Sequence, residues 1–162
     1  MRKRSRRQSR SHMPLDLRQA YVDGLATNLF KPFELPQPKD TEFEIQFCKE
    51  ILRTNAHHFE ALVLLGDAYT RNGEYKKGLE MDLRLTRLRP ENKHVRYNLA
   101  CSYALTGEKD KAILNLNKAI ELGYRDVEQM RQDKDLEPIK SDPRFQSLIK
   151  KLSADEPQTK GA

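Results

Sequence analysis

Catalysis and metal binding need reactive side chains at compatible spacings, and this sequence offers few candidates. His57 and His58 are adjacent, but neighbours along a helix point in different directions and cannot share one ion from one face. Glu60 lies three residues after His57, while Ala61 and Leu62 occupy the other positions where a ligand would be useful. The pair therefore reads as solvated residues at a helix start, and neither a metal nor any other cofactor is expected. Asp133 and Asp135 read as caps and surface groups in preference to a catalytic dyad. Cys48 and Cys101 stand 53 positions apart, without a CxxC or Cys/His spacing. Two small buried thiols in a reducing compartment are the expectation. The sequence contains no Gly-rich phosphate loop, nucleophile elbow or HExxH pattern, so it is not expected to be an enzyme.

The elements that would carry a non-catalytic function must fit in 162 residues, which is the size of one domain able to bury a core without staples. The formal charge of +6 is concentrated at one end. Arg2, Lys3, Arg4, Arg6, Arg7 and Arg10 precede the first acid, Asp16. Setting these six aside leaves 24 basic against 24 acidic residues, so the excess belongs to an arm and not to a folded face. No stretch approaches the ~20 apolar residues of a membrane span. The basic start is not followed by the apolar core of a secretory signal, and a cytoplasmic location is expected.

Residues 1–13 form a basic, Ser-rich arm with almost nothing to bury, for which disorder is expected. Residues 14–30 carry Leu17, Tyr21, Leu25 and Leu29 at four-residue spacing with Val22 beside them, an amphipathic helical stripe. Pro32, Pro36 and Pro38 then mark 31–40 as a linker. Thr41 and Glu44 have the spacing of a capping box. Phe43, Phe47 and Ile51 form the apolar stripe of the helix that follows, in a unit spanning 41–56.

From Phe59 the chain repeats itself. Phe59–Asn92 superimposes on Lys93–Asp126 without a gap, a period of 34 residues. Leu65 meets Leu99, Tyr69 meets Tyr103, Gly73 meets Gly107 and Lys77 meets Lys111. Small residues coincide too, Gly66 with Ala100 and Gly78 with Ala112. A period of 20–50 residues signals a stacked array. Within each unit, two helices approach closely only where side chains are small, and Gly73 and Gly107 permit the tight turn between them.

This pattern resembles the tetratricopeptide repeat family. The first unit reads Leu62, Leu65-Gly66, Tyr69, Gly73, Gly78, Asp82, Leu85, Pro90. The second reads Arg96, Leu99-Ala100, Tyr103, Gly107, Ala112, Leu116, Ala119, with Tyr124 where Pro is usual. Asp82, Leu85, Arg96 and Tyr124 depart from the family pattern, as degenerate units do. The resemblance implies an all-α fold, a short right-handed solenoid of antiparallel helix hairpins with about two and a half repeats and terminal capping helices. Residues 127–152 look like the closing element, with Asp142 as N-cap, Pro143 as first helical residue, and Phe145, Leu148, Ile149 and Leu152 covering the last hairpin. A polar tail, 153–162, follows.

The resemblance also places a concave groove along the first helix of each unit. Its lining would be Glu60, Val63, Leu64, Asp67, Thr70 and Arg71 from one unit and His94, Tyr97, Asn98, Cys101, Ala104 and Leu105 from the next. Family members that grip a C-terminal carboxylate need Lys and Asn where this sequence has Val63 and Asp67, so that mode is not expected. A protein partner, bound as a peptide or helix in the groove, is the expected ligand of an adaptor or assembly factor. The alternatives are a specialised chaperone of a secretion system and a nucleic-acid-associated adaptor whose six basic arm residues contact polyanions. No aromatic residue interleaves those arginines, so base stacking is not expected.

Overall fold

A computed structural model describes residues 41–155. The expected basic arm 1–13, the helix expected at 14–30, the expected linker 31–40 and residues 156–162 of the expected tail lie outside the described residues, while 153–155 of that tail belong to the last helix.

Among the described residues the chain is all-helical. Helix α1 spans Thr41–Thr54 and is followed by α2 Phe59–Arg71, α3 Tyr75–Leu88, α4 Lys93–Leu105 and α5 Lys109–Glu121. The closing element comprises α6 Val127–Gln132, a 3-10 turn Glu137–Ile139 and α7 Pro143–Asp155. Consecutive helices pack on one another, α2 on α3 and α4 on α5 forming two hairpins of a solenoid.

Polar side chains start most of these helices. The His58 Nδ1 accepts from the Ala61 amide at 3.3 Å, so one of the two adjacent histidines is a cap. Asn92 Oδ1 accepts from His94 and Val95, and Asp126 Oδ1 from Gln129. Asp142 Oδ1 accepts from the Arg144 amide at 2.9 Å. At α1 the expected capping box is replaced by another arrangement. Thr41 is itself helical, and the Glu44 carboxylate pairs with Arg71 of α2.

The hairpin turns depend on left-handed backbone. Gly73 and Gly107 have φ of 80° and 82°, and the amides of Glu74 and Glu108 reach back to the Tyr69 and Tyr103 carbonyls. Side chains with Cβ are disfavoured at such angles. Helix contact inside the first hairpin is set by Gly66 and Gly78. A Cβ at Gly78 would stand 2.8 Å from Thr70 Oγ1 and 3.3 Å from the Gly66 carbonyl oxygen. In the second hairpin Ala100 and Ala112 take these places, both fully buried.

The interior forms two clusters. Ile45, Cys48, Leu62, Leu65, Tyr69, Met81 and Leu85 make the first. The second joins Ala100, Leu116 and Ala119 to Met130, Leu136, Ile139, Phe145, Ile149 and Leu152 of the closing element. On α1 the buried residues are Ile45 and Cys48, not the expected stripe: Phe43 is 39% and Phe47 43% exposed.

Candidate functional site

The two first helices, α2 and α4, stand side by side and leave a cleft between them. Its walls are Val63, Gly66, Asp67 and Thr70 from α2 and Asn98, Cys101, Ser102 and Leu105 from α4. Asp82 of α3 and Asp135 of the closing element complete it. The spacing along each helix explains the set, because residues three and four apart share a face.

Six of the twelve groove candidates read from the sequence meet here: Val63, Asp67, Thr70, Asn98, Cys101 and Leu105. The others are placed elsewhere. Glu60 is exposed beside His58, at 3.4 Å from its Nδ1. Leu64 packs on the first core cluster. Arg71 turns towards α1, bridging Asp67 at 3.0 Å and Glu44. His94 meets the Tyr124 ring edge-on, with centroids 5.7 Å apart.

Tyr97 and Ala104 are buried beneath the closing element, at 2% and 1% exposure, and present no surface to a groove. The Tyr97 ring stacks on Tyr124 with centroids 4.4 Å apart. Its hydroxyl donates to Asp133 Oδ2. Tyr124, which stands where the repeat pattern has Pro, is thus the lid of the second hairpin. Burial pushes both phenols well above their ordinary range.

The sequence reading missed Gly66, Asp82, Ser102 and Asp135 as lining. Asp82 carried a signal, since it departs from an otherwise apolar repeat position. The Ser102 Oγ donates to Asp82 Oδ2 at 2.5 Å, joining α4 to α3 at the cleft floor. Burial, with Asp67 and Asp135 nearby, pushes the Asp82 carboxyl up to about 7, although the Ser102 hydrogen bond opposes the shift. Three acidic side chains line this cleft, Asp67 paired with Arg71 and Asp82 holding its proton up to about pH 7, and the remaining walls are apolar or neutral. That arrangement opposes an anionic terminus and favours a basic side chain.

The cation sites of the hairpins are structural. Lys77 lies over the Tyr69 ring at 5.2 Å and Lys111 over Tyr103 at 5.3 Å, each also paired with a Glu three residues earlier. The same contact recurring one period later marks it as part of the repeat. Among the described residues no group of three His, Cys, Asp or Glu side chains is placed to share a metal ion, and no helix is long and apolar enough to cross a membrane. The arm residues Arg2, Lys3, Arg4, Arg6, Arg7 and Arg10 lie outside the described residues.

A tetratricopeptide repeat family model matches residues 94–122, which cover α4 and α5. Residues 94–122 are thus a tetratricopeptide repeat. The matched repeat is the second hairpin, and α2–α3 is its degenerate counterpart one period earlier. A chloroplastic protein of Arabidopsis thaliana is 29% identical over 90 residues. That alignment covers 54% of this chain and 27% of the relative, so the chain matches about a quarter of that protein's length. A tetratricopeptide repeat suggests a protein–protein interaction or scaffold role.

Proposed function

We propose that this protein is a non-enzymatic adaptor or assembly factor that holds an extended or helical segment of a partner protein between α2 and α4. The observation that carries this reading is the composition of the cleft. Val63 and Leu105 supply apolar contact, Thr70 and Asn98 supply hydrogen bonding, and acidic side chains at Asp67 and Asp135 give the cleft its negative character. A segment with an apolar residue next to a Lys or Arg is complementary to that surface. Charge selects among partners and speeds encounter, while apolar burial supplies most of the affinity.

The test uses the full chain and fluorescent peptide pools that differ in charge. Basic-apolar peptides are expected to bind, and acidic peptides are not. Leu105→Arg, which places a long cation in the cleft, is expected to weaken binding by about tenfold or more, equivalent to roughly 1.4 kcal/mol. Circular dichroism checks that the helices persist. Equal binding by wild type and Leu105→Arg would remove the cleft from the reading.

A further inference from the structure

The α2–α4 cleft does not end at Leu105. The same side chain lines a second depression, at the edge where the hairpin turns lie, together with Tyr75 and Lys76 of α3 and with Thr106. Leu105 is therefore a wall common to both, and an extended segment leaving the cleft past the end of α4 runs onto this edge. Tyr75 is 41% exposed, which leaves its ring open to a further contact.

The two places differ in charge. The ionisable carboxyl groups of the cleft are Asp67, Asp82 and Asp135. At the edge Glu74 is paired with Lys77, which also lies over the Tyr69 ring. Lys76 beside them is exposed and pairs with no acid among the described residues.

The second hairpin does not repeat this combination. One period on, Tyr75 becomes Lys109 and Lys76 becomes Asp110, whose carboxylate is held by Arg144 of α7 at 2.8 Å. One period before Leu105 stands Arg71, which is engaged with Glu44 and Asp67. Within this chain the open ring, the leucine and the exposed lysine meet at one edge, so they are not a scaffold contact shared by both units.

We propose that this edge is a second contact for the partner segment held in the cleft, seating an apolar residue against Tyr75 and Leu105 and an acidic residue against Lys76. The inference rests on the cleft reading and narrows the partner to a bipolar segment, basic at one point and apolar-acidic further along. From Ser102, bonded to Asp82 at the cleft floor, to Thr106 at the edge, α4 rises ~6 Å. Extended chain covers that in about two residues, and the reach of the side chains widens the separation to roughly three to five positions. An exposed ion pair is worth at most about fivefold in affinity, so Lys76 sets the order of the segment while the ring adds burial.

Fluorescence anisotropy with the full chain and a set of synthetic peptides tests it. The first peptide carries a single Lys beside Leu in an otherwise neutral sequence. Two more add Phe-Glu about four positions before or after that Lys. One of these two orders is expected to bind about fivefold or more tighter than the first peptide. Lys76→Glu, at a helix N-terminus where an acid is well tolerated, is expected to remove most of that gain while leaving the first peptide within about twofold. Exchanging the peptide Glu for Lys is expected to restore the gain in this variant. Equal binding of all peptides by the wild type, or a gain unchanged in Lys76→Glu, would overturn the second contact and leave the cleft reading standing. Failure of every peptide to bind would overturn both. Self-association of the full chain that Tyr75→Ser abolishes, read by sedimentation, would assign the edge to a second copy and overturn the proposal too.

Discussion

The Tyr97 hydroxyl donates to Asp133 Oδ2 at 2.7 Å in the interior, where Tyr97 is 2% and Asp133 0% exposed. This bond ties α4 to the residue that ends α6, across 36 positions of sequence. The other Asp133 oxygen accepts from the Asp135 amide at 2.9 Å, and Cys101 Sγ lies 3.7 Å from Oδ2. A buried carboxylate is tolerated only with such partners, which makes the site a lock on the position of the closing element.

Tyr97→Phe keeps the ring on Tyr124 and removes the donor. It is expected to destabilise the fold by about 1.5–3 kcal/mol, the range for a hydrogen bond to a charged group. Urea denaturation should show a lower midpoint with an unchanged slope. An unchanged midpoint would mean that Asp133 does not rely on this donor.

Asp82 links stability to pH. Its carboxyl binds a proton more tightly in the folded chain, at about 7, than at the ordinary value of 3.8. The folded state therefore binds more protons between these values, and stability falls as pH rises from about 4 to 7 before levelling. Asp82→Asn removes that penalty while leaving an oxygen for Ser102. It is expected to stabilise the fold by up to about 4 kcal/mol at pH 8 and to have little effect at pH 4. Thermal melts of both proteins at the two pH values decide, and an equal difference at each would contradict the mechanism.

Both thiols should be inert in the native chain. Burial, with Glu44 nearby, pushes Cys48 up to about 12, and burial pushes Cys101 well above its usual range, with Asp133 adding to it. The thiolate is the reactive form. Iodoacetamide at pH 8 is expected to label neither residue until urea unfolds the chain. Rapid native labelling of either would show that its helix opens locally.

Two glycines separate steric from conformational cost. Gly78→Val places side-chain atoms against Thr70 and the Gly66 carbonyl, so it should force α2 and α3 apart, at about 2–4 kcal/mol. Gly73→Ala meets no atom within 4 Å but must adopt φ near +80°, which costs roughly 1 kcal/mol. Denaturation midpoints should rank Gly78→Val below Gly73→Ala, and the reverse order would mean that the turn, not the helix contact, governs the hairpin.

Residue types at a 34-residue spacing were enough to indicate the paired helices, the turn glycines and the small residues at the helix crossing. Each of these is local or repeats identically, so the information sits in the chain order. Val63 and Tyr97 occupy the same register one period apart, yet Val63 lines the cleft and Tyr97 is sealed under Tyr124. No periodic reading distinguishes them, because their fates depend on what stacks next: a second hairpin after the first, and the non-repeating closing element after the second. The inner face of α1 escaped the sequence for a related reason. Phe43, Phe47 and Ile51 form a plausible core stripe, but α2 packs on Ile45 and Cys48 instead. Asp135 reaches the cleft only through the path of the closing element. Helix formation follows from nearby residues, whereas the surface that remains open is decided by how unlike elements cover one another, and only the tertiary structure contains that.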